Sequence, residues 1–247
     1  MASNNATFVI YSGPSLIDSA PIIVLAQSNS TNRKTGDMVQ TYVIRSDIDP
    51  ITASRTGADR SICGDCIHRG KPSNKATGQA IDRTCYVTLA HGPLGKYKAF
   101  KRGAYPQAFG HDKIRAIGLG RMVRIGTYGD PCAVPSYVWT SLIDAAQGWT
   151  AYTHGAINPM PDKIMTSADS LAQAESAWNR GERTFRVIKA LSDVVKGREV
   201  VCPASEEAGK RATCDTCKLC AGSSVKGKSV AIVAHGINKR KARDLVA

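Results

Sequence analysis

The chain has 247 residues, with 33 lysines and arginines against 20 aspartates and glutamates, a formal net charge of +13, and 43% hydrophobic residues. That length holds one α/β barrel or two small domains around a sizeable core, and the composition excludes a disordered or fibrous protein. No apolar run approaches the ~20 residues needed to span a bilayer, and residues 1–7 are polar, without the basic-then-apolar pattern of a secretion signal.

In chain order, apolar stretches at residues 7–11 and 22–26 and a β-rich run at 41–45 are separated by Gly, Asn, Ser and Pro, and predict short strands. A Gly-, Lys-, Asn- and Pro-rich loop follows over 61–85, long enough to imply a function or a metal tie. From Met122 onward short β-type segments recur at 122–126, 149–153, 163–167, 184–189, 199–202 and 229–234. The clearest helices are 136–146, capped by Ser136 behind Pro135, and 170–180, capped by Asp169 or Ser170. Alternating strand and helix predicts a parallel sheet with crossover helices. The expected fold is therefore α/β, a partial or complete (β/α) barrel with cysteine-rich metal-binding loops. Its parts are a β-rich segment over 1–60, a core with the first cysteine group over 61–200, and a second cysteine group, last strand and basic tail over 201–247.

Seven of the eight cysteines fall into two groups. Cys202, Cys214, Cys217 and Cys220 end in the spacing C-x2-C-x2-C, which ferredoxin-type runs use to hold a [4Fe–4S] cluster. Zinc is the alternative reading, and plain buried or paired thiols the third. In a reducing cytoplasm, the expected location, thiols bind metals rather than pair. The other group, Cys63, Cys66 and Cys85, supplies three thiolates from one loop. Three readings stay open: a zinc site completed by His68, His91 or Cys132, a cluster with one open iron, or no metal. Cys132 also reads as a small buried apolar residue.

Other candidates sit where strands end, the functional edge of α/β folds. The run 123–131, V-R-I-G-T-Y-G-D-P, carries Gly126, Tyr128, Gly129 and Asp130; its glycines let backbone approach a ligand, and Asp130 can accept from an ammonium or hydroxyl. His154 and His235 each follow an apolar strand and precede glycine, so with Asp130 they are the candidate catalytic groups. Phosphate-loop, nucleophile-elbow and H-E-x-x-H signatures are absent from the sequence. Basic runs at 96–102, 180–186 and 239–243 fit an anionic partner, nucleic acid or a phosphorylated small molecule; the first interleaves aromatics that suit stacking.

These pieces, with Y-S-G-P-S-L-I-D, N-R-K-T-G-D-M and C-P-A-S-E-E, resemble a group of cysteine-rich bacteriophage proteins of unassigned activity. More distantly, the order of cluster loop, glycine/acid/proline turn and C-terminal cysteine group resembles radical S-adenosylmethionine barrels. That resemblance implies cluster ligation by Cys63, Cys66 and Cys85 and cofactor contact by Gly129 and Asp130. It also implies an iron–sulfur enzyme that uses S-adenosylmethionine; the phage likeness places it in an infected bacterial cytoplasm, and the positive charge makes modification of nucleic acid or a nucleotide the expected reaction. In this sequence the loop is C-x2-C-x18-C rather than C-x3-C-x2-C, and the turn is Y-G-D-P rather than G-G-E-P. The competing expectation is a non-catalytic zinc or Fe–S protein that braces a basic surface on nucleic acid. The sequence leaves the oligomeric state open.

Overall fold

The computed structural model describes residues 6–30, 34–156, 158–236 and 238–246. Most of the polar N-terminal stretch, and Asn32 and Arg33 of N-R-K-T-G-D-M, therefore lie outside the described residues. Ten strands and eight α-helices are described. The strands are β1 (Thr7–Pro14), β2 (Pro21–Gln27), β3 (Met38–Arg45), β4 (Met122–Tyr128), β5 (Gly148–Thr150), β6 (Tyr152–Thr153), β7 (Met165–Ala168), β8 (Thr184–Ile188), β9 (Glu199–Val201) and β10 (Ser229–Val233). The helices are α1 (Pro50–Thr56), α2 (Arg60–Cys63), α3 (Gly92–Lys101), α4 (His111–Gly118), α5 (Ser136–Ile143), α6 (Leu171–Asn179), α7 (Cys214–Cys217) and α8 (Lys239–Leu245).

The strands form two five-stranded sheets, ordered β1-β2-β3-β4-β5 and β6-β7-β8-β10-β9. β2 pairs antiparallel with β1 and with β3; β3 turns the first sheet parallel by pairing with β4, which pairs parallel with β5. Every pairing of the second sheet is parallel. The α/β class is thus present, with parallel strands joined through helices. The segment 149–153, expected as one strand, is broken at Ala151. Its N–H donates to Cys220 O at 2.8 Å and its C=O accepts from Met165 N at 3.0 Å. One end of this segment belongs to each sheet. No closed barrel is described: β1 and β9 end the two strand orders.

Burial explains the placement. Ile22 to Ala26 of β2 are fully buried, as a continuous apolar run becomes when both faces of a strand are covered. Trp139 of α5 is also fully buried, and its indole N–H donates to Pro131 O at 3.0 Å, so α5 packs against the turn that follows β4. That helix starts behind Pro135, with Ser136 as its first helical residue rather than its cap; Ser170 does cap α6, accepting from Gln173 N at 3.2 Å. The basic-aromatic run 96–102 lies mostly in α3, where Tyr97 and Phe100 are half-buried against the core. Arginines 180–186 are likewise not a free basic surface. Arg180 pairs with Glu182 and Arg186 with Glu199, and Arg183 is buried on backbone carbonyls. No helix among the described residues is long and apolar enough to cross a membrane.

Candidate functional site between two walls of thiols

A cavity of about 710 Å³ opens between the sheets, and both cysteine groups line it. Cys63, Cys66 and Cys85 form one wall. Their loop has little regular structure, so side chains fix it. Asp49 caps α1 by accepting from Ile51 N and Thr52 N at 3.0 Å each. Arg69 reaches Asp59 Oδ1 at 2.7 Å, Gly64 O at 2.8 Å and Gly57 O at 2.9 Å. Arg83 donates to Cys85 O at 3.1 Å and Val87 O at 2.9 Å. Cys85 N in turn donates to His68 O at 3.0 Å. Two arginines thus staple a chain that neither sheet nor helix holds.

The opposite wall carries Cys202, Cys214, Cys217 and Cys220. Cys202 follows β9 and extends its ladder by donating to Ala231 O at 2.8 Å; Cys214 N donates to Lys34 O at 3.0 Å. Arg183 gathers the loop beyond α7 by donating to Leu219 O, Gly222 O and Lys228 O at 2.8, 2.9 and 2.7 Å. Here too a buried arginine takes the place of regular structure. Burial pushes the thiols of Cys63, Cys85, Cys202, Cys214 and Cys220 up from their ordinary range. A nucleophilic cysteine needs the reverse shift, so burial leaves these thiols poor nucleophiles.

The turn 126–131 lies between the walls. Gly129 has φ +80°, and a Cβ there would sit 2.6 Å from Val43 Cβ and 2.8 Å from Val43 O, so glycine is required by packing on β3. Gly126 donates its N–H to Thr41 Oγ1 at 2.8 Å. Asp130 is buried and spends its carboxylate on the protein. Oδ1 accepts from Cys132 N at 2.9 Å and Thr153 Oγ1 at 2.5 Å, and Oδ2 from His154 N at 2.6 Å. Its own N–H donates to Ile62 O at 2.6 Å, tying the turn to the helix that carries Cys63. Asp130 therefore positions its neighbours. Cys132 does not line the cavity; it packs against Gly155. His235 lines the far end, its ring stacked on Tyr86 and its Nε2 3.5 Å from Lys34 Nζ.

Two further features fall outside the candidate residues named from the sequence. Arg124, on β4, is 7% exposed and lines the cavity, donating to Tyr86 Oη at 2.7 Å and Tyr152 Oη at 3.5 Å. Among the described residues no carboxylate pairs with it. A buried guanidinium keeps its charge, so an anion is wanted beside it. The other feature is Asp169, which follows β7. Its Oδ1 lies 3.1 Å from His68 Nε2 and its Oδ2 3.3 Å from His154 Nε2. Among the described residues, these three are the set of histidine, cysteine or acidic ligand atoms lying within 4.8 Å of one another. Neither cysteine group is drawn together that closely.

The cavity is also where polar atoms go unsatisfied. Four buried side-chain polar atoms make no hydrogen bond among the described residues; Tyr128 Oη and Thr150 Oγ1 belong to cavity-lining residues, as does His154 Nε2, whose neighbour is the Asp169 carboxylate at 3.3 Å. Each such atom costs about 1–3 kcal/mol when nothing pairs with it, so their concentration here fits a bound group.

Burial opposes the charged form of His154, but Cys66 and Asp169 outweigh it and hold the ring well above its ordinary range. A raised histidine stabilises the fold below its unfolded value, about 6.5, and that contribution is lost as pH rises through the folded value. Metal-free protein should therefore lose more stability as pH rises above about 6.5 than its His154→Gln variant does in urea unfolding. Equal slopes would remove the charged ring from the account.

Compared with protein-family models, curated proteins and solved structures, the chain matches none.

Proposed function

We propose that the protein is an iron–sulfur enzyme of the radical S-adenosylmethionine type, built on a partial (β/α) barrel, acting on a small anionic substrate held in the cavity. One observation carries this reading: seven thiols from two segments more than a hundred residues apart border a single cavity. Its volume falls in the range of small-molecule sites, about 300–1,000 Å³. The C-x2-C-x2-C run of the second wall is the spacing that ferredoxin-type clusters use. With clusters held by Cys63, Cys66 and Cys85 and by Cys202, Cys214, Cys217 and Cys220, the site would supply one-electron reducing power to S-adenosylmethionine.

The chain's own residues give the substrate its class. Arg124, with Lys34 nearby on the same cavity, would take a phosphate or carboxylate, and the half-exposed ring of Tyr86 would lie against a base. Modification of a nucleotide or nucleic-acid base is the reaction class proposed. Phe185, Val187 and Ile232 line the cavity beside Arg124 and reduce access of water. A non-catalytic nucleic-acid-binding protein, the competing reading, would brace an outer basic surface with its cysteines; here they face inward, and arginines 183 and 186 are spent internally.

The test is anaerobic purification with iron, sulfide and zinc analysis. Iron and sulfide in comparable amounts, with broad visible absorption bleached by reductant, is the expected result. Stoichiometric zinc in a colourless protein would overturn it.

A further inference from the structure

We propose that His68, His154 and Asp169 form a site for one divalent first-row cation, open to the cavity and bordering the wall that carries Cys66. The three side chains come from the cysteine loop, the end of β6 and the end of β7, so only the folded chain assembles them. They are 12%, 25% and 8% exposed, and all three line the cavity. Two imidazoles and one carboxylate on one side of an ion, with the other positions open, is the ligand set suited to Fe(II) or Mn(II).

The geometry accommodates an ion in place of the ring protons, including the one that links His68 Nε2 to Asp169 Oδ1 at 3.1 Å. Neighbouring ligands around a cation bound at ~2.1 Å stand about 3 Å apart. The Asp169 oxygens stand 3.1 and 3.3 Å from the two ring nitrogens. His154 Nε2 lies 3.3 Å from Asp169 Oδ2 without a well-formed hydrogen bond, so a cation between ring and carboxylate would take the place of the ring proton. His68 is oriented from behind: its Nδ1 meets Thr84 Oγ1 at 2.8 Å, which turns Nε2 toward Asp169. A second hydrogen bond on the remote ring nitrogen is the usual support of a metal-bound histidine. Asp169 is held in place by its N–H, which donates to Gln173 Oε1 at 2.7 Å. The open side of the ion faces the cavity, so a water or a substrate oxygen would complete the coordination.

This site stands whatever the thiols hold, and Mn²⁺ is the probe that separates the two. It prefers nitrogen and oxygen to thiolate, and binding quenches the EPR signal of the free ion. The full chain, purified anaerobically and analysed for iron, sulfide and zinc, is titrated with Mn²⁺. One equivalent is expected to bind. His68→Ala and Asp169→Asn should each weaken binding at least about 10-fold, and Thr84→Val by roughly 10-fold through the orienting bond alone. Cys63→Ala should leave it unchanged, with urea unfolding showing that every variant is folded. Failure of wild type to bind Mn²⁺, or equal affinity in folded Asp169→Asn, would overturn the site. Loss of binding in folded Cys63→Ala would place the ion among the thiols and overturn it too. A protein that lacks iron and sulfide but still takes up Mn²⁺ at these residues would sink the cluster reading alone.

Discussion

Cys63→Ala is expected to strip iron and sulfide from the first wall, lowering the total by about half and leaving the second centre intact. Cys63 closes α2, and the carbonyl just before it accepts from Asp130 N at 2.6 Å, so this thiol is fixed against the turn rather than free to be replaced by a neighbour. Burial and the nearby Asp59, Cys66 and Cys85 all push its proton affinity up, which makes an unliganded thiol here electrically neutral and chemically inert. Loss of this ligand should reduce any reductive cleavage of S-adenosylmethionine to background while the chain stays folded. The matching change on the other wall, Cys214→Ala, should remove a similar share of iron but also lower stability. The segment from Cys202 to Cys220 has one short helix of its own, and coordination there contributes to folding. Iron analysis and urea unfolding of both variants check the pair. Unchanged iron in Cys63→Ala would rule out that thiol as a ligand.

Strands were the most readable part of the sequence. Each expected β-type segment appears within a few residues of its place, because short runs of Val, Ile and Thr between Gly, Asp and Ser carry both the period and the punctuation. The short helices were not readable. α3 contains two glycines and a proline, and α8 reads as a basic tail until Ala242 and Val246 are seen to be buried. Tertiary contact, not propensity, makes these helices. For the site, the cysteine spacing located both walls, and the strand-end rule located His154, His235 and the turn at 126–131. It could not show that Asp130 would spend its carboxylate on Thr153 and His154, since a buried clamp and a ligand-facing acid look alike in one dimension. Arg124 was hidden for a related reason: it sits inside an apolar strand, and only the absence of a carboxylate beside it marks it. Asp169 ends a β-type segment, where ligand-capable residues gather, and also reads as a helix cap; Ser170 takes the capping role.

Glu199→Ala should cost about 3–5 kcal/mol of stability, the largest single effect outside the thiols. Arg186 and Glu199 meet in two parallel bonds, Nε to Oε1 at 2.8 Å and NH2 to Oε2 at 2.6 Å, with side chains 3% and 0% exposed. Glu199 Oε2 also accepts from Val195 N at 2.9 Å, and Arg186 reaches Asp193 O at 2.6 Å, so the pair fastens the connection between β8 and β9. Removing the carboxylate leaves a desolvated guanidinium with one carbonyl for company. The effect should reach the second wall, because β9 leads directly into Cys202, whose N–H is held by Ala231 of β10. Glu199→Ala is therefore expected to lower iron retention on that wall as well as the urea midpoint, whereas Cys63-dependent iron stays. Replacing both partners, Arg186→Leu with Glu199→Leu, removes the stranded charge and should recover most of the stability. A midpoint in Glu199→Ala equal to wild type would show that this pair is not the fastening of the second sheet, and that Cys202 is held in place by the β9–β10 ladder alone.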